Sequence, residues 1–209
     1  MSAEATAAPA SGYPIGFDVA YPEKLSRLLN NPFLFWIKWI LAIPHLIIVY
    51  LLGLLLYVVI IVASFAILFT GNYPRGLFDF AVGIIRWTSN VYAYIFLMRD
   101  DYPPFSMDAG VYPVTFEVDY PTSLSRWLNF LLLVWIKWIL LIPHIVVLYV
   151  LYILAFIVGF IASFAIMFSG QYPRGMFDFV VGVMRWYQRV YGYGFYLVTD
   201  KYPPFSLKP

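Results

Sequence analysis

Two histidines are the clearest candidates for chemistry in this chain, and each begins a long apolar segment. His45 and His144 both follow an Ile-Pro pair. Two neutral imidazoles could together bind one haem iron or a metal ion. A single histidine at the start of an apolar helix also hydrogen-bonds to lipid headgroups or carbonyl groups, and no second pair of ligands is near in sequence. We therefore expect no cofactor, and we assign both histidines to the headgroup interface.

Charged residues recur at helical spacing inside two later apolar segments. The polar and small positions step by four, three and four residues, at Asp79, Gly83, Arg86 and Asn90 and at Asp178, Gly182, Arg185 and Arg189. Ionisable groups inside a bilayer are candidates for an ion or proton path. They also form polar seams, and here a separation of seven residues, about 10 Å along a helix, favours pairing between helices. We interpret these residues as a seam that holds two parts of the molecule together.

Four further cations stand near the ends of apolar segments. They are Arg75 and Arg174 in two YPRG turns, and Lys38 and Lys137 in two WIKW segments. Tryptophan and basic residues are favoured at the membrane interface. We expect all four cations to contact headgroups; the alternative for the lysines is a short tilted span from which their side chains reach the interface.

Patterns typical of soluble enzymes and nucleic-acid-binding proteins are missing from the sequence. No P-loop, GxGxxG, HExxH or GxSxG motif occurs, and the chain has no cysteine. The 13 Lys and Arg residues are scattered, and the net charge is only +2. We expect a protein that is not an enzyme and does not bind nucleic acid.

The composition predicts an integral membrane protein. Of the 209 residues, 63% are hydrophobic and 11% are charged, against about 25% charged residues in an average soluble domain. The mean hydropathy is +0.80, and the apolar residues form blocks long enough to cross a bilayer.

The chain is an internal duplication. Residues 13–94 align with residues 112–193 without a gap, and more than half of the aligned positions are identical. We divide the sequence into a disordered tail (1–12), a first membrane repeat (13–106), a linker (107–111) and a second membrane repeat (112–209).

Each repeat is expected to hold three helices, with the first break at Pro44 or Pro143. In order, these are interfacial amphipathic helices at Leu25–Ile43 and Leu124–Ile142, transmembrane helices at His45–Phe69 and His144–Phe168, and third helices at Leu77–Met98 and Met176–Val198. Alternating patterns at Ile15–Tyr21, Val114–Tyr120 and Phe195–Tyr202 indicate short cytoplasmic β-strands.

The third helix of each repeat either returns across the membrane or lies on its surface. We favour the return, which gives an all-α membrane protein of two parallel repeats, each with a transmembrane helical hairpin. Most basic residues then lie on one side, and the positive-inside rule places both termini in the cytoplasm.

Several motifs occur in the same order in both repeats: IPH, YPRGxFDF, GxxRW and YPPFS. In this set the chain resembles a family of bacterial membrane proteins known as domain of unknown function 4389. The resemblance covers nearly all of the chain after Gly12. It implies a multi-pass protein of the bacterial plasma membrane and brings no established activity.

These observations favour an accessory or scaffold protein that binds membrane lipids and a partner membrane protein or complex. The aromatic residues and the turn arginines suit such interfaces. The alternative is a small transporter or channel of the anion type, whose site between the repeats would be lined by Arg86, Asn90, Arg185 and Arg189.

Overall fold

A computed structural model describes residues 12–34, 36–130 and 135–209. The elements, in chain order, are β1 (Ile15–Val19), a 3-10 turn (Pro32–Leu34), α1 (Ile37–Leu41), α2 (Ile43–Thr70), α3 (Arg75–Ile95), β2 (Val114–Val118), α4 (Trp135–Ser169) and α5 (Arg174–Gly194). The tail expected at residues 1–12 lies, except for Gly12, outside the described residues.

The long helices form one hairpin in each repeat, α2 with α3 and α4 with α5. Gly71 and Gly170 end the first helix of each hairpin at a φ of 75°, which glycine adopts without a steric penalty. A proline then precedes the second helix. The helices predicted near Leu77–Met98 and Met176–Val198 correspond to α3 and α5.

The interfacial helices predicted at Leu25–Ile43 and Leu124–Ile142 are wrong. Residues 27–30 form turns, Pro32–Leu34 is a 3-10 turn, and only the five residues of α1 are α-helical before a break at Ala42. In the second repeat α4 continues through Pro143, which lies on the exposed side of the helix. Four polar residues of these segments, Asn30, Lys38, Asn129 and Lys137, are instead buried, in contacts described below.

Two of the three predicted strands are confirmed. β1 and β2 pair antiparallel, with Phe17 opposite Phe116. Residues 195–202 are not a strand, because the chain turns back on the end of α5: Leu197 has a φ of 57°, and the Val198 N–H donates to the Gly192 carbonyl at 3.1 Å.

The two repeats are antiparallel, so the predicted parallel arrangement is wrong. The Leu124 N–H donates to the Gly71 carbonyl at the turn of the first hairpin, and the next residue donates to Asp200 at the open end of the second. The same contacts recur for Leu25 with Gly170. The cause is the exchange of strands, since the strand of each repeat runs along the second helix of the other.

An approximate twofold axis relates the repeats. It passes between Phe17 and Phe116 in the sheet and between Ser89 and Gln188, whose side chains hydrogen-bond at 2.9 Å. Both pairs occupy equivalent positions of the duplication. The molecule thus has three layers: the sheet on one side, α3 and α5 in the middle, and α2 and α4 on the other side.

By length and composition, α2 and α4 could each cross a membrane. In the most apolar stretch of either helix only 22% of the residues are buried inside the protein. Most of their apolar surface therefore faces away from the rest of the chain.

Candidate functional site

The two histidines lie in buried aromatic boxes, so their predicted place at the headgroup interface is wrong. His45 Nδ1 accepts a hydrogen bond from Trp87 Nε1 at 3.1 Å, and its ring stacks on Phe105 at 3.9 Å. In the second repeat the partners of His144 are Trp186 at 2.9 Å and Phe205 at 3.7 Å. The recurrence of GxxRW and YPPFS in both repeats was the sequence signal for these partners.

This geometry argues against a metal ion bound by both histidines. Because Nδ1 accepts a hydrogen bond, the neutral ring carries its proton on Nε2. The antiparallel hairpins also place His45 and His144 at opposite ends of the molecule. The described part of the chain contains no group of three His, Asp or Glu side chains suited to a metal ion.

Lys38 and Lys137 are also buried, with no solvent-exposed surface, and do not reach headgroups as predicted. Lys38 Nζ lies 2.7 Å from Asp100 Oδ1 and donates to the Arg99 carbonyl. The Asn30 amide binds the same carboxylate at 2.8 Å. The second repeat has the same cluster. Asp200 Oδ1 lies 2.9 Å from Lys137 Nζ and accepts a hydrogen bond from the Asn129 amide at 2.8 Å.

Burial and ion pairing have opposite effects on the pKa values of Lys38 and Asp100 in the first of these clusters. Burial lowers the pKa of Lys38 to about 8, and Asp100 counteracts part of the decrease. Burial alone would raise the pKa of Asp100, but Lys38, the Ser26 N–H and the Asn30 amide together hold it below its ordinary value. The carboxylate is the group on which the cluster converges.

Two arginines of the seam, Arg86 and Arg185, each bind a backbone carbonyl of the opposite repeat's strand. Arg86 donates to the Phe116 carbonyl of β2 at 3.3 Å and to the Met107 carbonyl at 2.9 Å. Arg185 donates to the Phe17 carbonyl of β1 at 2.8 Å and pairs with Asp18 at 3.1 Å. Each guanidinium thus joins a helix of one repeat to the strand of the other.

The remaining seam residues have separate surroundings. Arg189 is buried and donates to the Lys208 carbonyl at 2.9 Å. Asn90 is buried, with its side-chain oxygen unpaired among the described residues. The predicted pairing of the aspartates between helices is wrong, because Asp79 and Asp178 pair with Arg75 and Arg174 of the preceding helical turn, at 3.0 and 3.4 Å.

Arg75 and Arg174 remain accessible to ligands. Their side chains are 65% and 66% exposed. Each guanidinium covers a tyrosine ring of the other repeat, Tyr120 at 4.7 Å and Tyr21 at 4.4 Å. Their contact with headgroups stays a prediction.

Large apolar side chains cover the outer surfaces of α2 and α4. They include Tyr50 and Phe69 on α2, and Tyr149 and Phe168 on α4, all between 67% and 74% exposed. Soluble monomers rarely show apolar patches of more than a few hundred Å². We call these two outer surfaces together the apolar face.

Two adjoining cavities lie beside the crossing of α3 and α5, on the side away from the sheet. One, of about 570 Å³, is lined by α4, and the other, of about 510 Å³, is lined by α2. Both share Tyr92, Tyr187 and Tyr191, and neither is lined by a charged side chain. We call the cavity beside α2 the tyrosine cavity; sequence patterns did not reveal it, because its walls come from both repeats.

Comparison with known proteins gives one family match. A family model described as a domain of unknown function, DUF4389, matches residues 34–107 and again residues 132–206. No curated protein and no solved structure matches the chain. The matched segments contain both hairpins and the buried lysine and aspartate of each cluster, and together they cover well over half of the sequence. The chain therefore belongs to the DUF4389 family and carries two tandem copies of its domain.

Proposed function

We propose that this protein is a non-enzymatic membrane scaffold that lies along the plane of the bilayer. In this arrangement the apolar face enters the hydrocarbon of one leaflet, and the sheet side faces the cytoplasm, where it holds a partner membrane protein. The observation that carries the proposal is the separation of the surfaces. Exposed apolar side chains cover α2 and α4, while the opposite side presents polar side chains of the strands, such as Asp18 and Glu117.

The polar sheet is the reason to favour this orientation over the multi-pass one. If the antiparallel hairpins crossed the bilayer upright, β1 and β2 would lie against lipid at membrane depth. Glu117 and the partly exposed Asp18 would then face hydrocarbon, as would the outer edges of a two-stranded sheet. Open sheet edges do not occur against lipid, and each charge there costs several kcal/mol.

The length of the apolar helices agrees with an in-plane position. α2 has 28 residues, which is about 42 Å of helix, and the hydrocarbon core is about 30 Å thick. Both α2 and α4 are apolar on every side; the side of each helix that does not pack on α3 or α5 would lie among the acyl chains of one leaflet. Arg75 and Arg174, at the turns, would then meet lipid phosphates.

The seam arginines favour a scaffold over an anion channel. Arg86 and Arg185 already donate to backbone carbonyls, so their hydrogen-bonding capacity is largely used by the protein. A site for a passing anion needs donors that are free to bind it. Anion flux through liposomes containing the protein should therefore not exceed that of empty liposomes.

The orientation can be tested by labelling, because the chain has no cysteine. Single cysteines at the exposed positions Asn72, Gln171 and Glu117 would be treated with a membrane-impermeant maleimide in sealed vesicles of known orientation. We expect all three to react from the same side, and Ile61→Cys on the apolar face to be protected on both. Reaction of Asn72→Cys and Gln171→Cys from opposite sides would show that the hairpins cross the bilayer.

The scaffold role needs a separate test. A photo-reactive amino acid at Glu117, on the sheet side, should crosslink one partner that also co-purifies in stoichiometric amount after gentle detergent extraction. The same amino acid at Ile61 should crosslink lipid. A clean monomer with no crosslinked protein from the sheet side would contradict the scaffold role.

A further inference from the structure

Two arginines from different repeats lie at the turn of the first hairpin. A Cβ atom built on Gly71 would lie 3.5 Å from Arg126 Nε, so this guanidinium lies against the end of α2. Arg75 follows four residues later, at the start of α3. Tyr120 contacts the same turn, because Arg75 covers its ring at 4.7 Å and its hydroxyl donates to the Tyr73 carbonyl. The fold therefore brings both guanidiniums to one short segment.

The turn of the second hairpin has the same arrangement. A Cβ atom built on Gly170 would lie 3.6 Å from Arg27 Nε, and Arg174 covers the ring of Tyr21 at 4.4 Å. The two turns lie at opposite ends of the molecule, because the hairpins are antiparallel. We call these residues the two arginine pairs, which are Arg75 with Arg126 and Arg174 with Arg27.

One cation of each pair has no counter-ion among the described residues. The aspartate near each turn pairs with the arginine of its own helix. Arg126 and Arg27 are exposed, and neither makes a hydrogen bond or an ion pair within the described part of the chain. Their N–H donors are therefore available to a ligand. Phosphate oxygens suit them, because a guanidinium can bind a phosphate through two parallel hydrogen bonds.

The two repeats retain these arginines although the exposed residues around them differ. Arg27 and Arg75 are equivalent to Arg126 and Arg174 in the duplication. An arginine that only kept the surface soluble could have been exchanged as freely as its neighbours. Those neighbours changed in charge or size, since Glu23, Lys24 and Leu28 are replaced by Thr122, Ser123 and Trp127 in the second repeat.

Exposed apolar side chains lie beside each arginine pair. At the first turn these are Phe69, at the end of α2, and Trp127, which follows Arg126. At the second turn they are Phe168 and Leu28. A soluble phosphate or a nucleic acid would leave these side chains in water. A phospholipid carries its phosphate next to acyl chains, so it can contact the arginines and the apolar side chains together.

The charge of the turns favours a phospholipid with a net negative charge. Choline and ethanolamine headgroups place an ammonium beside their own phosphate, and a second guanidinium would repel that cation. Phosphatidylglycerol has no such cation. Clusters of basic residues at the membrane surface attract anionic lipids for the same reason.

From these observations we infer that each hairpin turn binds one anionic phospholipid, with its phosphate on the arginine pair and its acyl chains against the apolar face. The inference rests on the proposed function only in placing the turns at a membrane surface. It needs neither a protein partner nor the in-plane orientation, because hairpins that crossed the bilayer would also end at a surface. Its failure would therefore leave the labelling and crosslinking results unchanged.

The test counts the lipids that the full chain retains. The protein in detergent micelles would be mixed with equal amounts of phosphatidylglycerol and phosphatidylcholine that have the same acyl chains, and bound lipid would be counted by native mass spectrometry. We expect two phosphatidylglycerol molecules per chain and several-fold less phosphatidylcholine. Inorganic phosphate in excess should not displace the lipid, because it makes no contact with the apolar side chains.

Variants that remove one charge assign the lipids to the turns. Arg126→Gln should weaken binding at one site about fivefold, the change expected for one cation at an anionic surface, and Arg27→Gln should weaken binding at the other. The double variant should weaken both. Arg126→Lys keeps the charge but loses the planar fork, so it should weaken binding less than Arg126→Gln.

Lys208→Gln is the matched control. It removes one exposed positive charge from the C-terminal segment, whose carbonyl at this residue binds Arg189, and it should leave both lipids bound. Thermal midpoints would show whether each variant is folded. Equal binding of the two lipids, displacement by inorganic phosphate, an equal loss with Lys208→Gln, or undiminished binding by the folded double variant would each overturn the inference.

Discussion

Lys38 and Lys137 have no contact with solvent, so the protein itself must balance their charges. Asp100 and Asp200 do so from the loops that follow α3 and α5. Each carboxylate also binds an asparagine and a backbone N–H at the start of its own repeat. Asp100 therefore holds the segment that contains Ser26, Asn30 and Lys38 against a loop 62 to 74 residues later in the chain.

Removing this carboxylate should destabilise the fold. Asp100→Asn leaves the Lys38 charge buried without its counter-ion, which typically costs about 3–5 kcal/mol. Because the pKa of Asp100 is lowered in the folded protein, its contribution is complete above the unfolded pKa of about 3.9 and is lost as the pH falls through the folded value. Thermal unfolding in detergent should show a large difference between variant and wild type at pH 7 that narrows below pH 4.

Asp79→Asn is the matched control for this experiment. It breaks a pair whose side chains are more than half exposed, and such pairs contribute about 0–1 kcal/mol. If the two variants unfolded at the same temperature, the buried cluster would not be a major source of stability.

At the level of elements, the sequence predicted local structure well and long-range arrangement poorly. Period-two patterns located β1 and β2, and apolar length located α2 and α4. The interfacial helix predicted around Lys38 was wrong because a polar residue that meets a headgroup and one that meets a buried aspartate can have the same spacing in the sequence. The direction of one hairpin relative to the other could not be predicted, since two similar repeats can pack either parallel or antiparallel about a twofold axis.

The close approach of the C-terminal segment to α5 can be tested at one glycine. A Cβ on Gly182 would lie 2.8 Å from the Cβ of Leu207, so Gly182→Ala must displace the segment that supplies the Leu207 carbonyl to Arg185. We expect a loss of about 1–3 kcal/mol, measured as a lower thermal midpoint.

Gly175→Ala provides the comparison within the same helix. A Cβ at Gly175 meets nothing within 4 Å, and alanine is favoured over glycine in a helix by about 0.5–1 kcal/mol. This variant should be as stable as wild type or slightly more so. The same midpoint for both variants would show that the segment is not held against α5.

For the whole molecule, the twofold relation predicts how one repeat should behave alone. Residues 112–209 contain a strand and a hairpin but lack the strand that covers α5. In a dimer of this repeat, β2 of each copy can cover α5 of the other copy. Phe116 would then pair with Phe116 of the second copy, and Arg185 would donate to the backbone of the second copy's strand. Closed twofold dimers are the usual outcome of such self-complementary surfaces.

We therefore expect the isolated second repeat to form a dimer in detergent, with a mass close to that of two copies by light scattering. Arg185→Ala should weaken the dimer, whereas Arg174→Ala, which alters an exposed turn, should affect it less. A folded monomer of the isolated repeat would contradict the exchange of strands.

The exchanged strands also impose an order on biosynthesis. β1 leaves the ribosome before α5, but the guanidinium that binds its Phe17 carbonyl belongs to Arg185 of α5, 168 residues later. Tyr13 depends on a still later segment, because its hydroxyl donates to the carbonyl of Lys201. The strand β1 must therefore stay unassembled until α5 has been translated, and a nascent chain that lacks α5 leaves β1 without a helix to dock on.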